Sequence, residues 1–107
     1  MVVVPSRNTP RWVEAVPRAA LDAMAHGIAV VGSTGGALPE TIADAGLVLP
    51  EEDVGALSEA LQRLHDDPAE VQRLGQAGRR RAMDRYTDAA VAERTLGFWR
   101  DLLRATA

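Results

Sequence analysis

Residues 14–36 read EAVPRAALDAMAHGIAVVGSTGG, and this stretch decides the fold. Pro17 suits the first position of a helix, where its missing N–H costs nothing. The Ala-rich run after it predicts a helix that continues towards Gly27, which fits the C-terminal cap. The apolar run Ile28–Val31 then predicts a short buried strand, and the small residues behind it predict a turn over 32–36. A helix that leads into an apolar strand is typical of a parallel sheet covered on both faces.

Two further apolar runs flank this stretch and predict strands, Val2–Val4 before it and Gly46–Pro50 after it. Pro39–Ala43 predicts a short helix between the second and third strands. Residues 1–50 are therefore expected to form a β-α-β-α-β unit, and residues 51–107 to be helical. The predicted fold class is α/β, with a short parallel sheet of about three strands and a helical C-terminal half.

Apolar residues at helical spacing divide the second half into three helices. Asp53 is placed to cap the first, and Asp67-Pro68 separates it from the second. Thr87 or Asp88 is placed to cap the third, which carries an apolar side that includes Phe98.

The composition excludes several classes of protein. The 107 residues are 47% hydrophobic and 25% charged, as in an ordinary globular chain, so intrinsic disorder is not expected. Without cysteine there is no disulfide and no thiolate metal site, which fits a cytoplasmic setting. No apolar run approaches the ~20 residues that cross a bilayer.

The charge pattern argues against a nucleic-acid partner, because the net charge is −3 and all 12 basic residues are Arg. The one basic cluster, Arg79–Arg81 with Arg85, fits either a solvated helix face or a phosphate-binding patch.

Two carboxylates, Glu14 and Asp22, flank the start of the predicted helix at positions i and i+8. A helix N-terminus presents free N–H groups and the positive end of its dipole, which suit a diphosphate. A carboxylate before it could accept hydrogen bonds from sugar hydroxyls, and one in the second turn from ribose hydroxyls. The same two residues also fit a surface loop and a solvated helix face.

The small-residue turn over 32–36 is expected at the carboxyl end of the second strand, facing the same ligand cleft as Glu14 and Asp22. Gly35 and Gly36 permit close approach of a backbone, either to a ligand or within a plain tight turn. Acidic runs such as Glu51–Asp53 fit helix caps better than a metal site, and we expect no metal and no cofactor.

The order of these motifs resembles the C-terminal donor-binding domain of the GT-B glycosyltransferases, specifically the retaining family 4 or "glycosyl transferases group 1" type. The resemblance covers nearly the whole chain. The matching segments, in order, are Val2–Ser6, Glu14 to Asp22, Asp22–Gly27, Ile28–Val31, Gly35–Glu40 and Gly46–Val48.

The resemblance implies a partial Rossmann-like, three-layer unit that binds a UDP-, GDP- or ADP-sugar without a metal. It places Glu14 as the catalytic residue beside the donor sugar and its phosphate, and Asp22 at the ribose hydroxyls. The amides after Glu14, with Arg18 and Ala19, would hold the diphosphate, and Gly35 and Gly36 would face the ligand.

The sequence departs from the family pattern in two places. Asp22 replaces the usual second Glu and is one methylene shorter. Val16-Pro17 replaces the usual Phe-Gly, and Pro17 removes one N–H donor. The family also keeps an Arg and a Lys for the diphosphate in the first half of its donor domain, and this sequence contains no Lys.

We therefore expect residues 1–107 to be a single partial domain, the last half of a donor-binding domain, and inactive in isolation. The alternative is a non-catalytic binding domain that oligomerises. In either case the Val2–Val4 strand would be an open edge, and two copies are expected to pair there or to exchange the C-terminal helix.

Overall fold

Three short apolar runs form a parallel sheet in the computed structural model, which describes residues 1–106. The strands are β1 (Val2–Val4), β2 (Val30–Ser33) and β3 (Leu47–Leu49). They lie in the order β1-β2-β3, and β2 pairs with both neighbours in parallel. Within residues 1–106, no strand pairs with the outer side of β1. Ala107, the end of the predicted helical half, lies outside the described residues.

Five helices accompany the sheet within the described residues. They are α1 (Arg18–Ala25), α2 (Leu38–Ile42), α3 (Val54–Asp66), α4 (Pro68–Arg85) and α5 (Asp88–Thr106). The predicted fold class is confirmed: a parallel sheet of three strands is followed by a helical half. None of these helices is long and apolar enough to pass through a bilayer.

The second strand differs from its predicted bounds, since it begins at Val30 and runs on through Gly32 and Ser33. Neighbouring strands hold the last two residues in register: Val4 pairs with Gly32, and Ser33 with Leu49. Pairing thus extends the strand into what the small residues alone suggested was a turn. A Cβ at position 32 would lie 2.5 Å from Ile42 Cδ1, so the Ile42 side chain would have to shift to accept a larger residue there.

Alternate strand residues point to opposite faces and build two small cores. On one face Val30 is buried with Met24 and Ile42 beneath α1 and α2. On the other, Val31 is buried with Leu64 beneath α3 and α4. The sheet is therefore the middle of three layers.

Helix α4 packs across the backbone at Gly27 and therefore contributes residues to both cores. A Cβ on Gly75 would overlap the Gly27 carbonyl, and Gly78 lies against the Met24 side chain. Gly27 itself has a positive φ of 71°, as expected of the residue after a helix. Small residues on α4 thus allow close packing on α1.

Side chains close the helix ends. The carboxylates of Asp53 and Asp67 accept hydrogen bonds from the N–H groups of Ala56 (2.9 Å) and Glu70 (3.1 Å). At α5, where the sequence left two candidates, Thr87 is the cap and its hydroxyl accepts from the Ala90 N–H at 3.2 Å.

Two members of the arginine cluster also act at helix ends. Arg79 donates to the Ala25 carbonyl (2.8 Å), at the end of α1. Arg81 donates to the carbonyls of Glu40 and Thr41 (both 2.8 Å), at the end of α2. These contacts give Arg79 and Arg81 a structural role, which neither reading of the cluster anticipated.

Helix α5 extends away from the rest of the chain. It contributes no buried residue between Asp88 and Thr106. Phe98 and Trp99 are 61% and 57% exposed. The radius of gyration is 16.0 Å, against about 13 Å for a compact domain of this length.

Candidate functional site

The loops that follow β1 and β2 are joined at the carboxyl ends of the strands. The buried Ser33 hydroxyl donates a hydrogen bond to the Ser6 carbonyl. The Gly36 N–H donates to Asn8 Oδ1 (2.8 Å), and the Ala37 N–H donates to the Glu14 carbonyl (2.8 Å). These contacts fix the backbone of the predicted catalytic residue.

The loop after β3 braces the same junction. Glu51 accepts from the Asn8 N–H (3.0 Å) and its own N–H donates to Thr34 Oγ1 (3.3 Å). Glu52 forms an ion pair with Arg7. From the sequence, these acidic residues were interpreted as helix caps. Because they lie more than 40 positions from their partners on the β1 loop, no local pattern could have revealed this role.

Glu14 as a whole is half-buried at this junction. Its Oε2 accepts a hydrogen bond from the Ser6 hydroxyl at 3.4 Å, a long contact. The backbone of Glu14 is thus held more firmly than its side chain, which can accept further hydrogen bonds from a ligand.

The space at Gly35 and Gly36 is taken up by the chain itself. A Cβ on Gly35 would lie 2.6 Å from the Ser6 carbonyl oxygen, and one on Gly36 would lie 2.8 Å from both the N and C atoms of Glu14. The φ of Gly36 is also positive, at 51°. The backbone that approaches these glycines closely is that of the β1 loop, and their contact with a donor stays a prediction.

The start of α1 offers fewer N–H donors than an ordinary helix. Pro17 has none, and it adopts φ −80° and ψ 78°, the conformation of an inverse γ-turn. The Arg18 N–H therefore turns back to the Val16 carbonyl (2.9 Å). Within residues 1–106 no side chain caps this turn. The Ala19 N–H is an open donor at the surface, whereas Ala20 is fully buried in the core.

Arg18 and Asp22 lie in a different place from Glu14. They line a groove between α1 and the junction of α4 with α5. The volume of this groove is ≈ 1070 Å³, part of which is open to solvent. The groove also has apolar walls, formed in part by Leu21, Met83 and Val91. The structure thus separates the predicted site residues into the loop junction, with Glu14, Gly35 and Gly36, and this groove.

A second cleft lies at the same strand ends but on the α3 side of the sheet. It is narrow and mostly apolar, lined by Val3, Val31, Leu49 and Leu57 among others. It contains none of the predicted site residues. Across residues 1–106, no three His, Asp or Glu side chains are grouped to hold a metal ion.

This chain is similar to several known proteins. The family model described as "Glycosyl transferases group 1" matches residues 1–81. The MMP alpha-(1->4)-mannosyltransferase of Mycolicibacterium hassiacum is 40% identical over 94 residues, which cover 84% of this chain and 23% of that protein. The GDP-mannose-dependent monoacylated alpha-(1-6)-phosphatidylinositol monomannoside mannosyltransferase of Corynebacterium glutamicum is 47% identical over 60 residues, 55% of this chain and 16% of that protein.

A solved structure shares the fold. The sucrose-phosphate synthase of Thermosynechococcus elongatus matches with a TM-score of 0.76 and 35% identity, over 96% of this chain and 25% of that one. Because the match includes both the sheet and the helical half, the expected Rossmann-like unit of GT-B type is confirmed. The chain spans about a quarter or less of the length of these relatives.

Proposed function

We propose, since this chain belongs to the glycosyl transferases group 1 family, that it is the donor-binding part of a retaining glycosyltransferase. In this proposal residues 1–107 are one partial domain, and the ligand is a sugar linked to a nucleoside diphosphate. The C. glutamicum relative is named as GDP-mannose-dependent, which favours GDP among the three candidate nucleotides.

The observation that carries the proposal is the position of Glu14. Its carbonyl is held by the Ala37 N–H at the carboxyl ends of parallel strands, where ligands of such sheets bind. The Arg18 side chain and the open Ala19 N–H of α1 follow it, and Asp22 comes one turn after Arg18. In this proposal, acceptors for hydroxyls therefore lie on both sides of a short segment that would bind the diphosphate.

The chemistry follows from this order. In the transfer, the bond from the sugar's anomeric carbon to the diphosphate oxygen breaks, and the nucleoside diphosphate leaves with the electron pair. The acceptor hydroxyl oxygen bonds to that carbon on the same face, and its proton passes to the departing diphosphate. The Ala19 N–H and the Arg18 guanidinium would stabilise the charge that develops on the diphosphate. The Glu14 carboxylate would hold the sugar through its hydroxyls.

Titration of the chain with UDP, GDP and ADP, followed by NMR, tests this proposal. We expect saturable binding of at least one nucleotide, weakened about tenfold by Asp22→Asn. Glu14→Gln should weaken binding of the corresponding nucleotide sugar about tenfold. Asp101→Asn, a 79% exposed carboxylate on α5, is the matched control. Absence of binding at millimolar nucleotide would contradict the proposal.

The isolated chain is expected to bind without transferring sugar. A release assay for nucleoside diphosphate, run with each sugar nucleotide, should show no turnover above that of buffer. Turnover by the 107-residue chain would refute the assignment of a partial site.

A second candidate function, a non-catalytic domain that oligomerises, is favoured by two surfaces. The outer side of β1 has no strand on it within residues 1–106, and α5 buries no side chain there. Light scattering over a range of concentrations tests it. A species that stays monomeric at the highest concentration would count against association through either surface.

A further inference from the structure

We infer that the junction of α4 with α5 supplies one wall of the nucleoside site, with Asp88 sharing the ribose hydroxyls with Asp22. The inference rests on the proposed function and extends it to the helical half, to which neither the sequence motifs nor the comparisons assign a binding role. It concerns the groove that Arg18 and Asp22 line together with the α4–α5 junction.

One stripe of α1 forms the first wall. Arg18, Leu21, Asp22 and Ala25 follow the i, i+3, i+4, i+7 spacing of a single helix face, and all four line the groove. Arg18 and Asp22 are about 6 Å apart along the helix axis. That rise suits a ligand whose anionic diphosphate and ribose follow one another, with the cation first and the carboxylate second.

Asp88 is the polar group of the opposite wall. It opens α5, but the Thr87 hydroxyl performs the capping, so the Asp88 carboxylate is not used for that purpose. Within residues 1–106 neither Asp88 nor Asp22 takes part in a salt bridge. Two unpaired carboxylates in one groove are complementary to a vicinal diol, which can donate one hydrogen bond to each.

The apolar part of the groove suits the flat face of a nucleobase. Met83 and Val91 lie in this wall at 47% and 44% exposure, so they can lose solvent contact when a ligand binds. Tyr86 lies between them in sequence. The guanidinium carbons of Arg81 and Arg94 are each 5.9 Å from its ring centroid, and these cation–π contacts support the position of the Tyr86 ring.

An NMR titration with GDP, UDP and inorganic pyrophosphate tests the inference, because pyrophosphate has the anionic part without the nucleoside. We expect the nucleotides to shift the amide signals of residues 86–91 and pyrophosphate to leave them unchanged. Asp88→Asn should weaken nucleotide binding about three- to tenfold, as for loss of one hydrogen bond to an exposed carboxylate, and leave pyrophosphate binding unchanged. Asp101→Asn is again the control.

The outcomes separate this inference from the function on which it rests. If Asp22→Asn weakens GDP binding and Asp88→Asn does not, the α4–α5 wall is wrong and the donor site stands. If Asp88→Asn weakens GDP and pyrophosphate equally, the change acts through the fold or the charge and the ribose contact is wrong. If no nucleotide binds, both proposals are wrong. A groove that is then covered only when chains self-associate is part of a protein interface.

Discussion

Substitution of Gly36 by Ala tests whether the loop junction holds the site together. Gly36 has a φ of 51°, in the left-handed region, and its N–H is bonded to the Asn8 side chain. An added Cβ would lie 2.8 Å from the N and C atoms of Glu14, well inside normal contact distance. The loop that carries Glu14 must therefore move away.

The cost has two parts. A left-handed φ costs an Ala about 1–2 kcal/mol, offset in part by the smaller entropy of the unfolded chain. Displacement of the β1 loop also strains the bonds from Gly36 to Asn8 and from Ala37 to Glu14, worth about 1 kcal/mol each. We expect Gly36→Ala to lower the free energy of unfolding by about 3 kcal/mol, a large share of the ~5–15 kcal/mol of a typical domain.

Gly27→Ala is the matched control, since Gly27 has φ 71° and its nearest contact for a Cβ is the Gly75 oxygen at 3.9 Å. It carries the left-handed cost without the clash, so we expect a loss of about 1 kcal/mol. Urea unfolding followed by circular dichroism measures both variants. Equal losses for Gly27→Ala and Gly36→Ala would refute the reasoning, because the loop contact would then contribute nothing.

Two further predictions concern side chains of α4. Arg81→Met removes two hydrogen bonds to the last turn of α2 and should cost about 1–3 kcal/mol in urea unfolding, whereas Arg80→Met should cost under 0.5; equal costs would contradict the capping role. A hydrogen bond from Arg73 lowers the pKa of Glu70, so the pair stabilises the fold above the ordinary Glu pKa and loses this effect as the pH falls through the lowered value. Glu70→Gln should flatten that pH dependence in acid urea titrations, and an unchanged profile would show that the pair does not contribute.

The fold was predictable where local patterns and burial agree. The run Ile28–Val31 indicated a buried strand, and β2 begins within it. The capping carboxylate of Asp53 was predicted because capping is local, acting within three residues of the chain. Asp67, which was expected to separate two helices, also caps the second of them. The end of β2 was not predicted, since Gly32 and Ser33 extend the strand only through their partners on β1 and β3.

The candidate site was predictable in its residues and much less in its arrangement. Glu14 and Asp22 are recognisable by spacing, but that spacing does not reveal that one belongs to a loop junction and the other to a groove. The use of the Arg18 N–H within the chain depends on the backbone angles at Pro17. Partners more than 40 residues apart, such as Asn8 and Glu51, leave no periodic signal in a single sequence.

The hydrogen bonds that make the junction rigid also limit what it can bind. The N–H groups of Gly36 and Ala37 are given to the β1 loop, that of Arg18 to Val16, and Pro17 has none. A diphosphate would find in this region the exposed Ala19 amide and the Arg18 guanidinium, while Arg7 is already paired with Glu52, so too little positive charge is free to neutralise it. In the proposed function, tight donor binding therefore requires further cations, and the groove beside α5, whose lining includes Arg18, is proposed to recognise the nucleoside.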